Sequence, residues 1–261
     1  MATRIANVNV NGVRAAYRKG MGDWLANRGV DILCLQEVRA ETTDLEPLLG
    51  DGWHVAHDAA TAKGRAGVAI ASRQELLAVR TDFGAADFDS AGRWIEADFR
   101  IGSHTVTVVS VYVHSGEVDT PKQVEKYKFL DAMESRMSEL GADGSFALVV
   151  GDLNVGHRTL DIKNWKGNLK NSGFLPEERA WLDELFGGMG LVDAFRVVNQ
   201  NPDEYTWWSN RGQAWAKNVG WRIDYQITTP GIGATAKTAA IYKDQRFSDH
   251  APLLMEYDHA F

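Results

Sequence analysis

Apolar residues recur along this chain in two periods. Residues 4–10, 31–36, 67–72, 94–100, 105–113, 146–150, 222–228 and 253–257 are rich in branched and aromatic side chains, which predicts strands. Several are apolar on both faces, as in Phe146-Ala147-Leu148-Val149-Val150, so they are expected to be covered on both sides. Residues 94–99 are more mixed and are expected nearer a sheet edge. Between the strands, Val124, Tyr127, Leu130, Met133, Met137 and Leu140 repeat every three or four positions after Pro121, which suits a helix start. Trp181, Leu182, Leu185 and Phe186 follow Pro176-Glu177-Glu178, predicting a second helix that Gly187-Gly188 ends. Residues 14–27 read as a weaker helix, diluted by Gly20 and Gly22. The sum is an α/β protein with sheets inside and helices outside. No linker, repeat or low-complexity tract interrupts it, so residues 1–261 are expected to form one domain.

Composition changes this picture in three ways. The 28 Lys and Arg against 35 Asp and Glu give a net charge of −7, which excludes attachment to nucleic acid by bulk positive charge. Cys34 is the one cysteine, so neither an internal disulfide nor a thiolate zinc site can form, and it reads as a small core residue. No apolar run is long enough for a signal peptide or a membrane helix, so a cytoplasmic protein without membrane attachment is expected.

Polar residues interrupt the apolar strands at their ends, where functional groups of sheet proteins gather. Asn7, Asn9 and Asn11 share one strand face, either as an exposed edge or as part of a site. Leu35-Gln36-Glu37 runs an apolar strand into a carboxylate. Tyr112 stands at the end of another strand, where a core role is the simpler reading of the residue alone. Gly151-Asp152-Leu153-Asn154 delivers two polar side chains onto one face, next to a glycine that allows close approach. Asp224 lies inside a strand-like run, and Asp249-His250 precedes the last strand. Clustered carboxylates repel one another unless a cation or a shared proton stabilises them. Oxygen ligands without thiolates suit Mg²⁺ or Mn²⁺.

The ordered set Asn9-Val10-Asn11-Gly12, Leu35-Gln36-Glu37, Tyr112, Gly151-Asp152-Leu153-Asn154, Gly220-Trp221-Arg222-Ile223-Asp224-Tyr225 and Ser248-Asp249-His250-Ala251-Pro252 resembles the exonuclease III family of apurinic/apyrimidinic endonucleases. That family lies within the endonuclease/exonuclease/phosphatase superfamily, and the resemblance extends over residues 4–257. It implies a four-layer α/β sandwich of two mixed sheets flanked by helices, with the site at one end. Residues 217–224 resemble the DNA-repair branch rather than the phosphatases acting on lipid or inositol phosphates. Two departures stand out: His114 where the family commonly has proline, and the acidic Glu117 and Asp119 in the loop that follows.

The activity so implied is Mg²⁺-dependent hydrolysis, with Mn²⁺ as an alternative, of the phosphodiester 5′ of abasic sites in duplex DNA, together with 3′→5′ exonuclease action at 3′ ends; a monomer is the simpler expectation. By the same resemblance Asp152 is the base acting on water, Asn154 holds it, and His250 contacts the phosphate with Asp224 orienting its ring. Tyr112 acts as phenol or phenolate. The metal shell is drawn from Asn9, Glu37, Asp152, Asn154 and Asp249, with Asn11 in it or next to it. Arg211, Trp215, Lys217 and Asn218 are expected at the DNA, and Trp207, Trp221 and Ile223 around an extruded abasic sugar, with Trp208 in the core. Two basic stretches offset the net charge locally. Arg158, Lys163, Lys166 and Lys170 face Asp161 alone, and Arg211, Lys217 and Arg222 occur with no acid among residues 209–223.

Overall fold

The computed structural model describes residues 2–88 and 91–258. Its strands, in chain order, are β1 (Ala2–Asn9), β2 (Ile32–Gln36), β3 (His54–Asp58), β4 (Val68–Ser72), β5 (Ala78–Arg80) and β6 (Trp94–Ile101). They continue with β7 (His104–Tyr112), β8 (Phe146–Asp152), β9 (Val192–Asp193), β10 (Asp224–Thr228), β11 (Ala236–Ile241) and β12 (Leu253–Asp258). One sheet has the order β11-β12-β1-β2-β4-β3 and the other β5-β6-β7-β8-β10-β9. Each holds one parallel pair at its centre, β1 with β2 and β7 with β8, among antiparallel neighbours.

Alternation along the strands builds three apolar layers. Ile5, Cys34 and Ile70 of the first sheet meet Phe99, Val108 and Val150 of the second in the middle layer. The odd-numbered face of β8 and the outward valines of β7 pack on Phe129, Leu130, Met133 and Met137 of the helix Pro121–Leu140. Val8, Leu33 and Leu35 pack outward on Trp24, Leu25 and Leu45. The result is the expected sandwich of helix, sheet, sheet and helix. Cys34 is fully buried in the middle layer.

Toward one end that middle layer turns polar. Asn7, Asn9, Gln36 and Gln226 are all buried, so the asparagines of β1 face the opposing sheet and not solvent. Gln36 Nε2 donates to Ser110 Oγ at 2.9 Å, and Gln226 Nε2 donates to Asn7 Oδ1 at 3.1 Å. Paired amides thus satisfy part of this stripe, while Asn7 Nδ2 and Gln36 Oε1 stay buried without a hydrogen-bond partner.

Four local expectations need correction. Val124 is 55% exposed, because the buried face of its helix passes through Gln123, Lys126, Leu130, Met133 and Met137 instead. Residues 14–27 form two short helices, Val13–Arg18 and Met21–Ala26, broken at Gly20 with φ +103°. There a side chain would run into Gln245. Gly187 and Gly188 fall inside a final wide turn, Glu184–Gly188, which closes through Met189 N to Glu184 O at 2.9 Å. β3, β5, β9 and β11 lie outside the predicted strands.

Candidate active site

The strand registers bring distant residues together. Asn9 at the end of β1 pairs with Gln36 at the end of β2, directly before Glu37. In the other sheet Asp152 of β8 pairs with Tyr112 on one side and Asp224 on the other. His250 lies just before β12 and is held by an isolated bridge to Trp207. All of these ends open on the same face of the sandwich.

Backbone strain accompanies the convergence. Asn11, Glu37 and Asn154 have φ of +47°, +49° and +50°, in the left-handed region that costs a non-glycine residue about 1 kcal/mol or more. Gly151 is needed for a different reason. A Cβ there would lie 2.0 Å from Val111 O, so only glycine lets β8 approach β7 this closely.

Asp152 is the hub. It is 1% exposed. Its Oδ2 accepts from Asn9 Nδ2 at 2.9 Å and Asn154 Nδ2 at 3.2 Å, and its Oδ1 accepts from Asn154 N at 2.9 Å. Asn9 Nδ2 also donates to Glu37 Oε1 at 2.8 Å, and Arg39 pairs with the other Glu37 oxygen. His250 bridges two acids, with Nδ1 2.9 Å from Asp224 Oδ2 and Nε2 3.7 Å from Asp152 Oδ2. Thr206 Oγ1 accepts from the backbone N–H groups of Ile223 and Asp224, which fixes the Asp224 backbone. Asp249 Oδ1 accepts from Asn11 Nδ2 at 2.9 Å, and its Oδ2 accepts from Trp207 Nε1 at 3.3 Å.

Electrostatics sort these groups. Burial lifts the Asp152 carboxyl above the ordinary carboxylate range, and Asp224 adds to this while His250 opposes it. Burial alone would lower the His250 imidazole, but Asp224 and Asp152 hold it well above its ordinary value. The two carboxylates thus favour the imidazolium form of His250. Burial and the charges of Glu37 and Asp152 push the Tyr112 hydroxyl far up, so the phenol form holds and the phenolate does not.

Ligand atoms of Asp152, Asp224 and His250 lie within 4.8 Å of one another, a spacing that could hold a metal ion. His250 Nδ1, however, is already engaged by Asp224 at 2.9 Å, while Nε2 stands 3.7 Å from Asp152 Oδ2, beyond hydrogen-bond reach. The donor chemistry fits a hard cation better on the side of Glu37 and Asp249. Among the described residues, the four carboxylates Glu37, Asp152, Asp224 and Asp249 form ion pairs with two cations, Arg39 and His250, so acids outnumber the cations paired with them. Asp224 Oδ1 is buried without a hydrogen-bond partner, a further sign of uncompensated acceptors.

Beside this cluster opens a cleft of about 270 Å³ lined by Ser115, Asn154, Asn171, Ser172, Gly173, Trp207, Trp221 and Ile223. Trp207 and Trp221 stand edge to face at 6.3 Å. Trp208 is buried as expected, with Trp215 packed edge-on against it at 4.4 Å. Asn218 receives Trp208 Nε1 at 3.1 Å and donates to Asp203 O at 3.0 Å, so both ends of its amide brace this loop. Arg211 and Lys217 are exposed.

Arg222 does not belong to a surface patch. It is 1% exposed, and its guanidinium is divided between Asp161 at 2.8 Å and Asp193 at 2.7 Å. Lys163 is likewise paired, with Asp203 at 2.8 Å. His114 is buried beneath its loop, where burial and then Arg93 lower its pKa to about 4. The neutral ring accepts from Arg93 at Nδ1 and lies 3.3 Å from Lys122 O at Nε2. Asp119 borders a separate groove of about 900 Å³ with Asp87, Glu125 and Glu177, so acidic residues extend beyond the 115–120 loop.

Sequence reading missed Arg39, Lys126 and Glu178. The only signal for Lys126 was a lysine three residues from Gln123 on a helix whose next turns bury Leu130 and Met133. Glu178 was legible only as a helix-start acid.

A family profile described as "Endonuclease/Exonuclease/phosphatase family" matches residues 6–250. An exodeoxyribonuclease of Bacillus subtilis is 34% identical over 254 residues, covering 96% of this chain and 97% of that protein. The DNA repair nuclease APEX1 of Danio rerio is 33% identical over 97% of this chain and 81% of its own. Among solved structures, an AP endonuclease from Archaeoglobus fulgidus superposes with a TM-score of 0.86 at 27% identity, covering 98% of this chain and 99% of that one. The chain belongs to the endonuclease/exonuclease/phosphatase family. Its fold is that of the AP endonucleases. Among the described residues no helix is long and apolar enough to cross a membrane.

Proposed function

We propose that this family member is a DNA repair nuclease that cuts the phosphodiester 5′ of abasic sites in duplex DNA, leaves a 3′-hydroxyl, and also shortens 3′ ends. The observation that carries the reading is His250, held between Asp224 and Asp152 and packed against Trp207, which with Trp221 and Ile223 walls the cleft. The relatives named above as nucleases of DNA support the substrate class.

The chain's own groups divide the work. Asp152 takes the proton of the attacking water, with Asn9 and Asn154 holding its carboxylate in place. His250 donates to the phosphate as charge builds on it, and Asp224 keeps the ring charged and oriented. Tyr112 donates from its phenol. Glu37, with Asn9, Asn11 and Asp249 beside it, would hold Mg²⁺ or Mn²⁺, which when bound supplies positive charge at the phosphate and leaving oxygen. The indole walls of the cleft suit a sugar that has lost its base, and extrusion of such a nucleotide forfeits the least stacking. Arg211 and Lys217 meet the DNA backbone beside it. The enzyme acts as a monomeric single catalytic domain, and one buried cysteine suits the reducing cytoplasm.

A labelled duplex carrying one abasic site tests this with Mg²⁺, with Mn²⁺ and with chelator. Metal-dependent incision on the 5′ side is expected, and a recessed 3′ end should be shortened. Binding of the abasic duplex without incision would reject the reading.

A further inference from the structure

We propose that the buried ion pair Lys126–Glu178 is a positioning unit of the active site, which sets the Asn154 amide and the Gly173 wall of the cleft together. The inference rests on the function proposed above.

Neither residue lines the cleft, and both side chains are fully buried. Lys126 Nζ lies 2.6 Å from Glu178 Oε1 and donates at 2.9 Å to the carbonyl of Asn154. Glu178 Oε2 accepts from Gly173 N at 2.6 Å and from Leu175 N at 3.0 Å. Its Oε1 also accepts from Gln123 Nε2 at 3.1 Å and Ser172 Oγ at 3.3 Å. A helix cap explains the contact to Leu175 alone. The remaining contacts reach out of the helix and bind the 171–173 loop to the chain segment that follows β8.

That segment is the one that needs holding. Asn154 sits at φ +50°, and a left-handed non-glycine residue persists only where its surroundings over-determine it. One end of the residue is fixed by Asn154 Nδ2 donating to Val113 O and Asp152 Oδ2. The other end is fixed by the Lys126 ammonium on its carbonyl. Gly173, at φ +92°, packs into the same corner. A Cβ there would stand 3.0 Å from Asn154 O and 3.1 Å from the Trp221 ring. Moving either loop therefore shifts both the support of Asp152 and the wall of the cleft.

A buried ion pair is not required for stability as such, since neutral side chains of similar volume often serve as well. What apolar packing lacks is a donor for the Asn154 carbonyl and an acceptor for the Gly173 and Leu175 N–H groups. The pair thus acts through Asn154 and Gly173 and touches no reacting atom.

The test compares two double variants with the unmodified chain. Lys126→Met with Glu178→Gln removes both charges and the donor to Asn154. Lys126→Gln with Glu178→Gln removes the charges but restores a donor. Thermal midpoint, kcat and KM on an abasic duplex are measured for each. Affinities for abasic and intact duplex are also measured in chelator by fluorescence anisotropy. The Met variant should keep its KM within ~3-fold while kcat falls by at least ~10-fold, as for misplaced reacting groups. Its abasic-to-intact affinity ratio should fall by ~3-fold or more, and the Gln variant should recover most of both losses. Unchanged kcat and ratio in a folded Met variant would overturn the proposal, and so would equal losses in both variants. If both double variants unfold, Glu178→Gln alone is read in the same way. Unfolding of that variant too would make the pair purely structural and overturn the proposal. Failure of the unmodified chain to incise would instead count against the proposed function.

Discussion

Asp224 Oδ2 accepts the Nδ1 proton of His250 at 2.9 Å, and the pair is buried with only the Nε2 side turned toward Asp152. The carboxylate fixes both the ring orientation and its charge. Asp224→Asn removes the charge and keeps the shape. Turnover on abasic duplex should fall by ~10² while the thermal midpoint stays close to that of the unmodified chain. Turnover within a few-fold of normal would remove Asp224 from the machinery.

Asp152→Asn should lower turnover further, by ~10²–10³, the usual scale for losing a general base. The amide still occupies the place between Asn9 and Asn154, so abasic duplex should bind with affinity close to normal. Gel-shift binding beside single-turnover kinetics checks both halves, and near-normal cleavage would show that another group handles the water proton.

Trp207→Ala and Trp221→Ala enlarge the cleft by an indole each. If these walls exclude a base, as proposed above, discrimination between abasic and intact duplex should fall by ~10-fold or more. The informative quantity is the ratio of kcat/KM for the two duplexes. An unchanged ratio would place substrate selection elsewhere.

Asp161 gives a pH prediction for stability. Burial would raise its carboxyl, but Arg222 and Arg196 outweigh this and hold it at about 2, below its ordinary 3.8. A depressed folded value means stabilisation present above pH 3.8 and lost as pH falls through about 2. The shift corresponds to about 2 kcal/mol at neutral pH. Asp161→Asn also strands two buried guanidinium groups, so it should cost about 3–5 kcal/mol at pH 7 in urea unfolding. That difference should shrink by about 1 kcal/mol at pH 3. An equal difference at both pH values would contradict the assignment.

The strands legible in the sequence were those whose position imposes a pattern. Residues 32–35 and 146–150 lie inside the sheets, covered on both faces, and carry the unbroken apolar runs that such cover demands. The four strands that were not legible are the four sheet edges. His54–Asp58 and Ala236–Ile241 are largely exposed or half-exposed, so neither burial nor alternation marks them. Ala78–Arg80 and Val192–Asp193 are also too short to show a period.

The candidate site was legible because its side chains interrupt strong strands at their ends. Tyr112, Asp152 and Asp224 stand on neighbouring strands of one sheet, and Asn9 ends a strand of the other and reaches Asp152 across the layer. Charge was less readable. Arg222 looks in sequence like part of a surface patch, yet its partners Asp161 and Asp193 lie 61 and 29 residues away. Lys126 looks like an ordinary helix lysine until Glu178, 52 residues on, is placed against it. Long-range pairs leave no periodic trace.

Asn11, Glu37 and Asn154 each stand just past a strand end in a twisted backbone geometry that glycine would adopt freely. A search for heat-resistant variants of this chain would be drawn to these positions, where glycine relaxes the main chain. What glycine would ease in the backbone it would take from the site, since it removes the side-chain hydrogen bonds made there by Asn11, Glu37 and Asn154.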